Sequence, residues 1–514
     1  MDVYHLWLAL FGLAIFLLAR SIYRLYFHPL SHIPGPKLAA ISHLYEIYYD
    51  IWRGGRYLFQ IEKLHRQYGP IVRITPREVH IIDPEFYEEI YAAASRRREK
   101  DPAWVPIFGT PTSMVATTNH EHHRFRRSVL TNFFSRRSVQ SLAPMIEERT
   151  MALLKRLEEF YNTQTIVHLD DAFSALSADI ITYYCYGKLW CFVEDKDFRI
   201  DIRASTTEIT GLSHINRTFH FINPVLRRMP GWFMRLIMPG KTGLLDLQDA
   251  ILELIYSSAR EKSGSGDADE KEGDDKRRAM YHNLTDPVLP PEERSAQRLQ
   301  DECLVVLGAG TETTARTLTI AAYYLAEDPD VLMKLRNELK TVLPTVTSTC
   351  SWTELEKLPY LAAVISESLR LATPVVGRLP RIAPDETLTY KEYTIPPGTP
   401  MSSSSLLLHH NPTIFFNPTK FDPERWIRNN GKAVTGERLD RYLTVFTKGS
   451  RACLGMNLAY AELYIALAYF VRRVDWELYD TKLDEITLTR DFFLGLNDRG
   501  EPVVRARVTG MVRD

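Results

Sequence analysis

The chain begins with an apolar run that no charged residue interrupts. Val3–Ala19 carries no charge when His5 is neutral, and as a helix these 17 residues would be about 26 Å long. That length is close to the hydrocarbon core of the endoplasmic reticulum membrane, about 27 Å. Asp2 precedes the run, whereas Arg20 and Arg24 follow it. By the positive-inside rule, this asymmetry places the remainder of the chain in the cytosol.

The pattern therefore predicts a single-pass N-terminal membrane anchor over residues 1–28, in the endoplasmic reticulum. A cleaved secretory signal is the competing interpretation. It is disfavoured because the positive charges come after the run and no A-x-A-like cleavage site follows. Residues 29–36 (P-L-S-H-I-P-G-P) contain three prolines. Because proline fixes φ and cannot continue a helix, these residues predict a stiff hinge.

Beyond the hinge, helical periodicity dominates. Short β-branched runs predict a small amount of sheet, and an acidic, glycine-containing stretch at 263–275 predicts a mobile, solvated loop. The predicted helices are Ile146–Phe160, Asp301–Leu325, Asp328–Val342 and Leu361–Leu371, and the strand-like runs are Ile71–Thr75, Val79–Ile82 and Leu388–Ile395. The fold class is mainly α with a small β region. Length alone suggests about three domains, but no break in composition divides residues 37–514, so a single large domain is predicted.

Composition narrows the class of protein. The 514 residues include 63 Lys+Arg and 64 Asp+Glu, so a formal net charge of −1 gives no basic excess for nucleic acid. Hydrophobic residues make up 45%, enough for a large core. There are five cysteines and no C-x-x-C motif, which fits unpaired thiols in a reducing compartment.

One cysteine stands in a dense motif. Phe446 to Gly455 reads F-T-K-G-S-R-A-C-L-G, and a helix-compatible stretch follows it. Cys453 would lie at or just before a helix N-terminus, where the helix dipole lowers a thiol pKa and favours a thiolate, a good ligand for iron. Arg451 is a fixed cation suited to a carboxylate. A loop cysteine by itself is usually inert, so the argument rests on the whole pattern F-x-x-G-x-R-x-C-x-G.

This pattern resembles that of the cytochrome P-450 family, in which the motif cysteine holds the iron of haem b (iron protoporphyrin IX). The resemblance implies a P-450-type haem domain with Cys453 as the axial iron ligand. Phe446 and Arg451 would contact the haem, Arg451 through a propionate. The chain as a whole is similar to fungal microsomal members, in particular the trichodiene oxygenase group.

A second match is the E-x-x-R pair Glu367 and Arg370. At i,i+3 both charges lie on one helical face, which by itself is a commonplace ion pair. The family adds an arginine from a downstream segment, here Arg425 in F-D-P-E-R-W. The resemblance implies a buried charge network that supports the haem-binding core.

A third match interrupts an apolar helix with A-G-T-E-T-T at residues 309–314. It resembles the family's oxygen-activation motif. Gly310 would make room for O2 and water, Thr313 would hydrogen-bond the bound oxygen, and Glu312 would supply protons. The competing interpretation is a helix whose threonine hydroxyls bond back to preceding carbonyls.

Further matches concern the haem propionates. His123 and Arg127 occupy the positions of the family's W-x-x-x-R, with His in place of Trp, and Arg381 matches another propionate-binding arginine. The three histidines at 120, 122 and 123 lack metal-ligand spacing and are not expected to bind a metal. The substrate pocket would draw on residues 104–115, 304–311, 374–377 and 492–496.

These matches imply a membrane-anchored haem-thiolate monooxygenase that hydroxylates or epoxidises an apolar small molecule. The expected substrate is a terpenoid or polyketide intermediate of fungal secondary, mycotoxin-like metabolism. Because no dinucleotide-binding fingerprint or fused reductase is visible, electrons from NADPH must come through a separate NADPH–cytochrome reductase, with cytochrome b5 as a second candidate donor.

Two alternatives remain open. A haem-thiolate lyase or isomerase would act without O2, but such enzymes tend to lose the acid–threonine pair, and both Glu312 and Thr313 are present. A non-catalytic haem-binding or electron-transfer protein would have no use for the oxygen motif.

Overall fold

A helix of 32 residues, Ala296–Glu327, is the central element of the fold. It forms because apolar residues recur on several of its faces and because the Ser295 side chain caps its first turn by accepting a hydrogen bond from the Arg298 N–H. The helix is packed most extensively against Leu169–Tyr186, of which all but one residue is buried.

The computed structural model describes residues 3–237 and 280–512, together with positions 246, 249–250 and 252–253. The acidic segment 263–275 lies outside the described residues. The helices in the described part are α1 (Val3–Ile22), α2 (Lys37–Ile41), α3 (Leu44–Ile47), α4 (Tyr57–Tyr68), α5 (Tyr87–Ile90), α6 (His120–Thr131), α7 (Arg136–Thr163), α8 (Leu169–Tyr186), α9 (Ile200–Gly211), α10 (Ser213–Thr218), α11 (Ile222–Arg227), α12 (Gly231–Ile237), α13 (Met280–Leu284), α14 (Ala296–Glu327), α15 (Pro329–Leu339), α16 (Trp352–Leu355), α17 (Pro359–Ala372), α18 (Ser405–His409), α19 (Met456–Arg473) and α20 (Leu483–Ile486).

Among the described residues, the strands are short and form four small sheets. They are β1 (Ile71–Arg73), β2 (Val79–Ile81), β3 (Glu99–Lys100), β4 (Ile166–His168), β5 (Arg381–Ile382), β6 (Leu388–Tyr390), β7 (Tyr393–Ile395), β8 (Pro400–Ser402), β9 (Val474–Leu478), β10 (Arg490–Phe492), β11 (Leu494–Leu496) and β12 (Arg505–Met511). The largest sheet has the order β1-β2-β8-β5-β3, a second has the order β4-β12-β9, and the hairpins β6-β7 and β10-β11 complete the set.

The predicted fold class, mainly α with a small β region, is confirmed. Three of the predicted helices lie within α7, α14 and α17, and the fourth, Asp328–Val342, corresponds to the shorter α15. The strand-like runs Ile71–Thr75 and Val79–Ile82 contain β1 and β2, which pair as a hairpin with Ile71 opposite Ile81. The main hydrophobic core is built by α7, α8, α14, α17 and α19. It leaves the middle of α14 and the loop before α19 facing each other across a cavity.

The N-terminal helix stands apart from this core. Among the described residues, Val3–Phe27 is the one helix long and apolar enough to cross a membrane, and none of its residues is buried. The proline-rich segment that follows packs on the body, because Leu30 and Ile33 are buried and the Arg73 N–H donates to the Pro34 carbonyl at 2.7 Å. A Cβ on Gly35 would lie 2.4 Å from the Arg73 carbonyl oxygen, so only glycine allows this approach.

Candidate active site around Cys453

The cysteine loop is folded tightly just before α19. The Cys453 N–H donates to the Phe446 carbonyl at 2.8 Å. Gly449 has φ +75°, and a Cβ there would lie 2.1 Å from the Ala92 carbonyl oxygen, so glycine is required for both its conformation and its packing. These constraints hold Cys453 three residues before the first turn of α19, where its surface faces the cavity.

The electrostatics of the thiol differ from the sequence prediction. Burial raises the pKa of Cys453, and the Gly455 N–H and the Arg127 guanidinium offset only part of this effect. The helix N-terminus was expected to lower that pKa. In the protein chain alone, desolvation by the surrounding groups is the stronger effect, although the sulfur is exposed to the cavity, and a cation bound to the sulfur would favour the thiolate.

Cationic side chains gather beside the loop. Arg451 donates to the carbonyls of Thr117 at 2.7 Å and Thr118 at 2.6 Å, and Arg127 donates to that of Ala452 at 2.7 Å. Arg381 donates to the Leu379 carbonyl at 3.1 Å. The three arginines thus donate their hydrogen bonds to neutral carbonyls.

Lys100 and His123, whose imidazole is uncharged at neutral pH, complete this group, which we call the cation cluster: Lys100, His123, Arg127, Arg381 and Arg451. Burial and the neighbouring cations lower the pKa of Arg451 to about 9 and that of His123 to about 2. Burial also lowers the pKa of Lys100 well below its usual value. Within the part of the chain that the structure describes, no member forms an ion pair with a carboxylate. The cluster therefore requires an anion, and the two propionates of haem fit this need.

The histidines of α6 point to different partners. His120 Nδ1 lies 3.3 Å from the Arg98 carbonyl oxygen, whereas His122 Nε2 lies 2.6 Å from Glu293. His123 belongs to the cation cluster. His409, at the end of α18, is buried and accepts from the Thr444 N–H at 3.0 Å.

The middle of α14 forms the opposite wall. Thr313 lines the cavity, and its hydroxyl donates back to the Ala309 carbonyl at 2.7 Å. This is the hydrogen bond expected if the threonine hydroxyls simply bond back to preceding carbonyls of the helix. It leaves the lone pairs of Thr313 Oγ1 available to accept a hydrogen bond. Breaking it would free the hydroxyl proton as well.

Gly310 was predicted to face the oxygen site, but it faces α8. The helix is unbroken across residues 296–327, and a Cβ on Gly310 would lie 2.7 Å from Ile181 Cγ1 on α8. Gly310 therefore permits close packing of α14 on α8, and it is not among the residues that line the cavity. Gly308, which the sequence did not single out, is a glycine of α14 that lines the cavity, and a Cβ there would meet open space.

Glu312 is buried and held from two sides. Its Oε1 accepts from the Ser174 hydroxyl at 2.8 Å, and its Oε2 lies 3.3 Å from Arg203 Nε. Arg203 also pairs with Asp170 and Asp171. Glu312 therefore contacts the cavity on one side and, through Arg203, a chain of charged groups on the other.

The support network predicted beneath the site is present. Glu367 and Arg370 are fully buried and paired at 2.7 Å, and Arg425 Nε donates to the same Glu367 oxygen at 3.0 Å. The indole N–H of Trp426 donates to the second oxygen at 2.9 Å. Every charge in this network has a partner, which buried charges require.

The cavity between these walls has a volume of about 1000 Å³ and is mainly apolar. All four segments predicted to form the pocket contribute to the cavity lining, through Phe108, Leu304, Val375 and Phe492 among others. Trp104 instead packs behind Phe108, with the two ring centroids 5.8 Å apart. The cavity-lining residues named in the sequence analysis as site residues are Phe446, Cys453, Arg451, Arg381, Glu312 and Thr313.

Sequence reasoning missed several residues of this site. Lys100, Ser174, Arg203 and Ser213 all line the cavity. A lysine in a short strand and an arginine in a polar helix carry no distinctive spacing. The signal available for Arg203 is the acidic pair at 170–171, which must find a cation if it is buried.

Comparison with known proteins agrees with this geometry. The family model for cytochrome P-450 matches residues 40–498. The conidiogenone synthase PchP450 of Penicillium rubens is 43% identical over 491 residues, covering 95% of this chain and 96% of that protein. The monooxygenase TRI4 of Fusarium sporotrichioides is 42% identical over 475 residues, covering 92% of this chain and 89% of that protein. The monooxygenase aflU of Aspergillus parasiticus is 40% identical over 505 residues, covering 98% of each.

Members of this family use haem, O2 and electrons that a reductase delivers from NAD(P)H. The cysteine facing the cavity and the cation cluster without a carboxylate fit such a cofactor. The extent of the match settles the reaction class predicted from the sequence: the chain belongs to the cytochrome P-450 family and is a monooxygenase, an oxidoreductase.

Proposed function

We propose that this monooxygenase hydroxylates or epoxidises an apolar intermediate of fungal secondary metabolism, of the terpenoid or polyketide class. The observation that carries the proposal is that Cys453, Glu312 and Thr313 share one cavity whose surface is mainly apolar. Such walls suit a hydrocarbon skeleton, because apolar surface binds mainly by burial. The similar proteins are fungal, and one of them is named as a synthase of conidiogenone.

The proposal assigns the haem contacts to the two faces described above. Cys453 Sγ would ligate the iron, and Phe446 would pack beside it. The propionates would lie against the cation cluster, which supplies Arg127, Arg381, Arg451, His123 and Lys100. When bound, haem supplies the chemistry that activates O2 and transfers one oxygen atom to the substrate.

The proton-handling role falls to Glu312 and Thr313. Glu312 holds its charge between Ser174 and Arg203, with access to the ionic groups around Asp171. We assign to its carboxylate the task of taking protons from that side. Thr313 Oγ1, one residue further on the same wall, would pass them into the cavity by turning its hydroxyl away from the Ala309 carbonyl.

Electron supply and location complete the proposal. NADPH–cytochrome reductase is the proposed donor, with cytochrome b5 as a second one, and no nucleic acid is involved. The exposed apolar helix at Val3–Phe27 supports a single-pass anchor. The arginines after the apolar run support an endoplasmic reticulum orientation with the catalytic domain, residues 37–514, in the cytosol.

The test is co-expression with a fungal reductase in a host fed candidate terpenes and polyketides. We expect mass spectrometry to detect products heavier by one oxygen atom, derived from O2 when isotopically labelled gas is used. A matched culture expressing Cys453→Ala should lack these products, whereas Cys191→Ala, at an exposed cysteine outside the cavity lining, should retain them. Isomerised or cleaved products formed without O2 would contradict the proposal.

A further inference from the structure

One polar group on the cavity wall has no partner. Ser213, the first residue of α10, is 3% exposed, and its Oγ makes no hydrogen bond within the described part of the chain. Leaving a buried hydroxyl without a partner costs free energy, because its hydration is lost and nothing replaces it. Ser213 lines the cavity, but its Oγ has almost no accessible surface, so rotation about the Cα–Cβ bond is what would bring the hydroxyl to a partner in the cavity.

A second polar side chain lies on the same face. Asn216 follows Ser213 by three residues, a spacing that brings side chains together on a helix, and it also lines the cavity. Among the described residues its amide has no hydrogen-bond partner. Apolar residues such as Phe108 and Phe492 also line the cavity. Ser213 and Asn216 thus form a small uncharged polar patch on its wall, which we call the α10 patch.

The orientation of α10 is fixed from its other side. Arg217 pairs with Glu46 and, at 2.8 Å, with Asp50. His214 Nε2 contacts the Asp491 carbonyl oxygen, and its ring lies 5.4 Å from that of Phe492. These buried contacts hold the backbone of α10 in place beside the cavity.

The chemistry of the α10 patch selects a class of ligand. A hydroxyl and an amide both donate and accept, and neither is charged. The one cation on α10, Arg217, is already taken by two carboxylates. The patch therefore suits a neutral oxygen and offers no compensation to a carboxylate.

We propose that the α10 patch binds a hydroxyl or carbonyl oxygen already present on the substrate, and that Ser213 and Asn216 are specificity-determining residues. This inference rests on the proposed function and sharpens its substrate class to a neutral, oxygenated apolar skeleton. A reaction that installs or retains that oxygen must then precede this enzyme.

The test is equilibrium binding to the resting haem protein, without reductant. The probes are two matched series: decalin, decalol, decalone and decalin carboxylate, and androstane with its alcohol and ketone. We expect the alcohol or the ketone to bind wild type roughly three- to tenfold more tightly than the parent hydrocarbon. Ser213→Ala should bring this preference below about twofold, and Asn216→Leu should reduce it.

Thr110→Val is the matched control. Thr110 also lines the cavity, but its hydroxyl is already bonded, 3.2 Å from Ser113 Oγ, so this variant should keep the preference. Ser213→Ala should also unfold at the same or a higher urea concentration than wild type, because no bond within the protein is lost and an unpartnered buried hydroxyl is removed. A marked loss of stability would show that the hydroxyl has a partner in the protein and would overturn the inference.

Three binding results would also overturn it. The first is equal binding of the hydrocarbons and their oxygenated relatives, which would mean that water satisfies Ser213. The second is an unchanged preference in Ser213→Ala, and the third is the absence of binding by every oxygenated probe. Because binding needs neither O2 nor electrons, a failure of oxidation would leave this result standing, and the two proposals fail separately.

Discussion

Arg203 Nε lies 3.3 Å from Glu312 Oε2, which joins a side chain of α9 to the acid of the oxygen motif on α14. The same guanidinium pairs with Asp170 and Asp171 at the start of α8. One arginine therefore pairs with three carboxylates, of which only Glu312 lines the cavity. Glu312 thus belongs to an ion-pair network that extends beyond the cavity lining.

Replacing Glu312 by Gln tests its proposed proton-handling role. The amide keeps the shape of the side chain and can still bond Ser174, but it cannot take up and release a proton. We expect product formation to fall by about a hundredfold or more, with haem content unchanged. Glu501→Gln is the control, because Glu501 pairs with Arg316 nearby but does not line the cavity. Similar rates for both variants would refute the assignment.

Thr313→Val addresses the hydroxyl directly. The variant should bind haem normally, yet more of the NADPH consumed should yield hydrogen peroxide and less should yield product. Thr319→Val is closely matched, since Thr319 makes the same back-bond on α14, at 2.8 Å to the Ala315 carbonyl, but is not in the cavity lining. The ratio of product to NADPH checks this, and an unchanged ratio in Thr313→Val would contradict the proton-transfer role.

The Glu367 network should be a stability determinant. Arg425→Met removes one of two cations facing the fully buried Glu367 carboxylate and should lower the free energy of unfolding by about 3–5 kcal/mol. Urea unfolding monitored by circular dichroism measures this loss. Arg438→Met, at an exposed pair with Asp440, serves as the control and should leave the urea midpoint unchanged. Equal losses of stability in the two variants would show that burial does not determine how much these ion pairs contribute to stability.

Acid should destabilise the fold through buried histidines. Burial lowers the pKa of His65 to about 4 and that of His410 to about 4, against 6.5 when unfolded. Between pH 6.5 and 4 the unfolded state thus binds protons that the folded state excludes. Stability is then lost as pH falls, by about 1.4 kcal/mol per pH unit for each histidine. Urea midpoints at pH 7 and 5 measure the slope, which His65→Gln should reduce; an unchanged slope would contradict this account.

The sequence was most informative where chemistry depends on spacing within one segment. Cys453 and its loop, the pair Glu367 and Arg370, and the helix carrying Thr313 could all be located, because their geometry is local. The side that a residue faces was harder to predict. Gly310 packs against Ile181 of α8, and nothing in its own segment shows that neighbour.

Contacts between residues far apart in the sequence could not be predicted from motif spacing. Lys100 joins the cation cluster from a strand, and Arg203 reaches Glu312 from a helix 109 residues away in sequence. Such pairs form because burial forces charges to meet, and only the folded chain shows which of the many possible partners are brought together.

The central claim is that Cys453 holds a haem iron as a thiolate, and the spectrum of the reduced, carbon monoxide-bound protein tests it most directly. We predict the long-wavelength Soret band of a thiolate-ligated haem in the wild type and in Cys191→Ala, and its loss in Cys453→Ala. An imidazole-type spectrum in the wild type, or a thiolate band that survives in Cys453→Ala, would contradict the account.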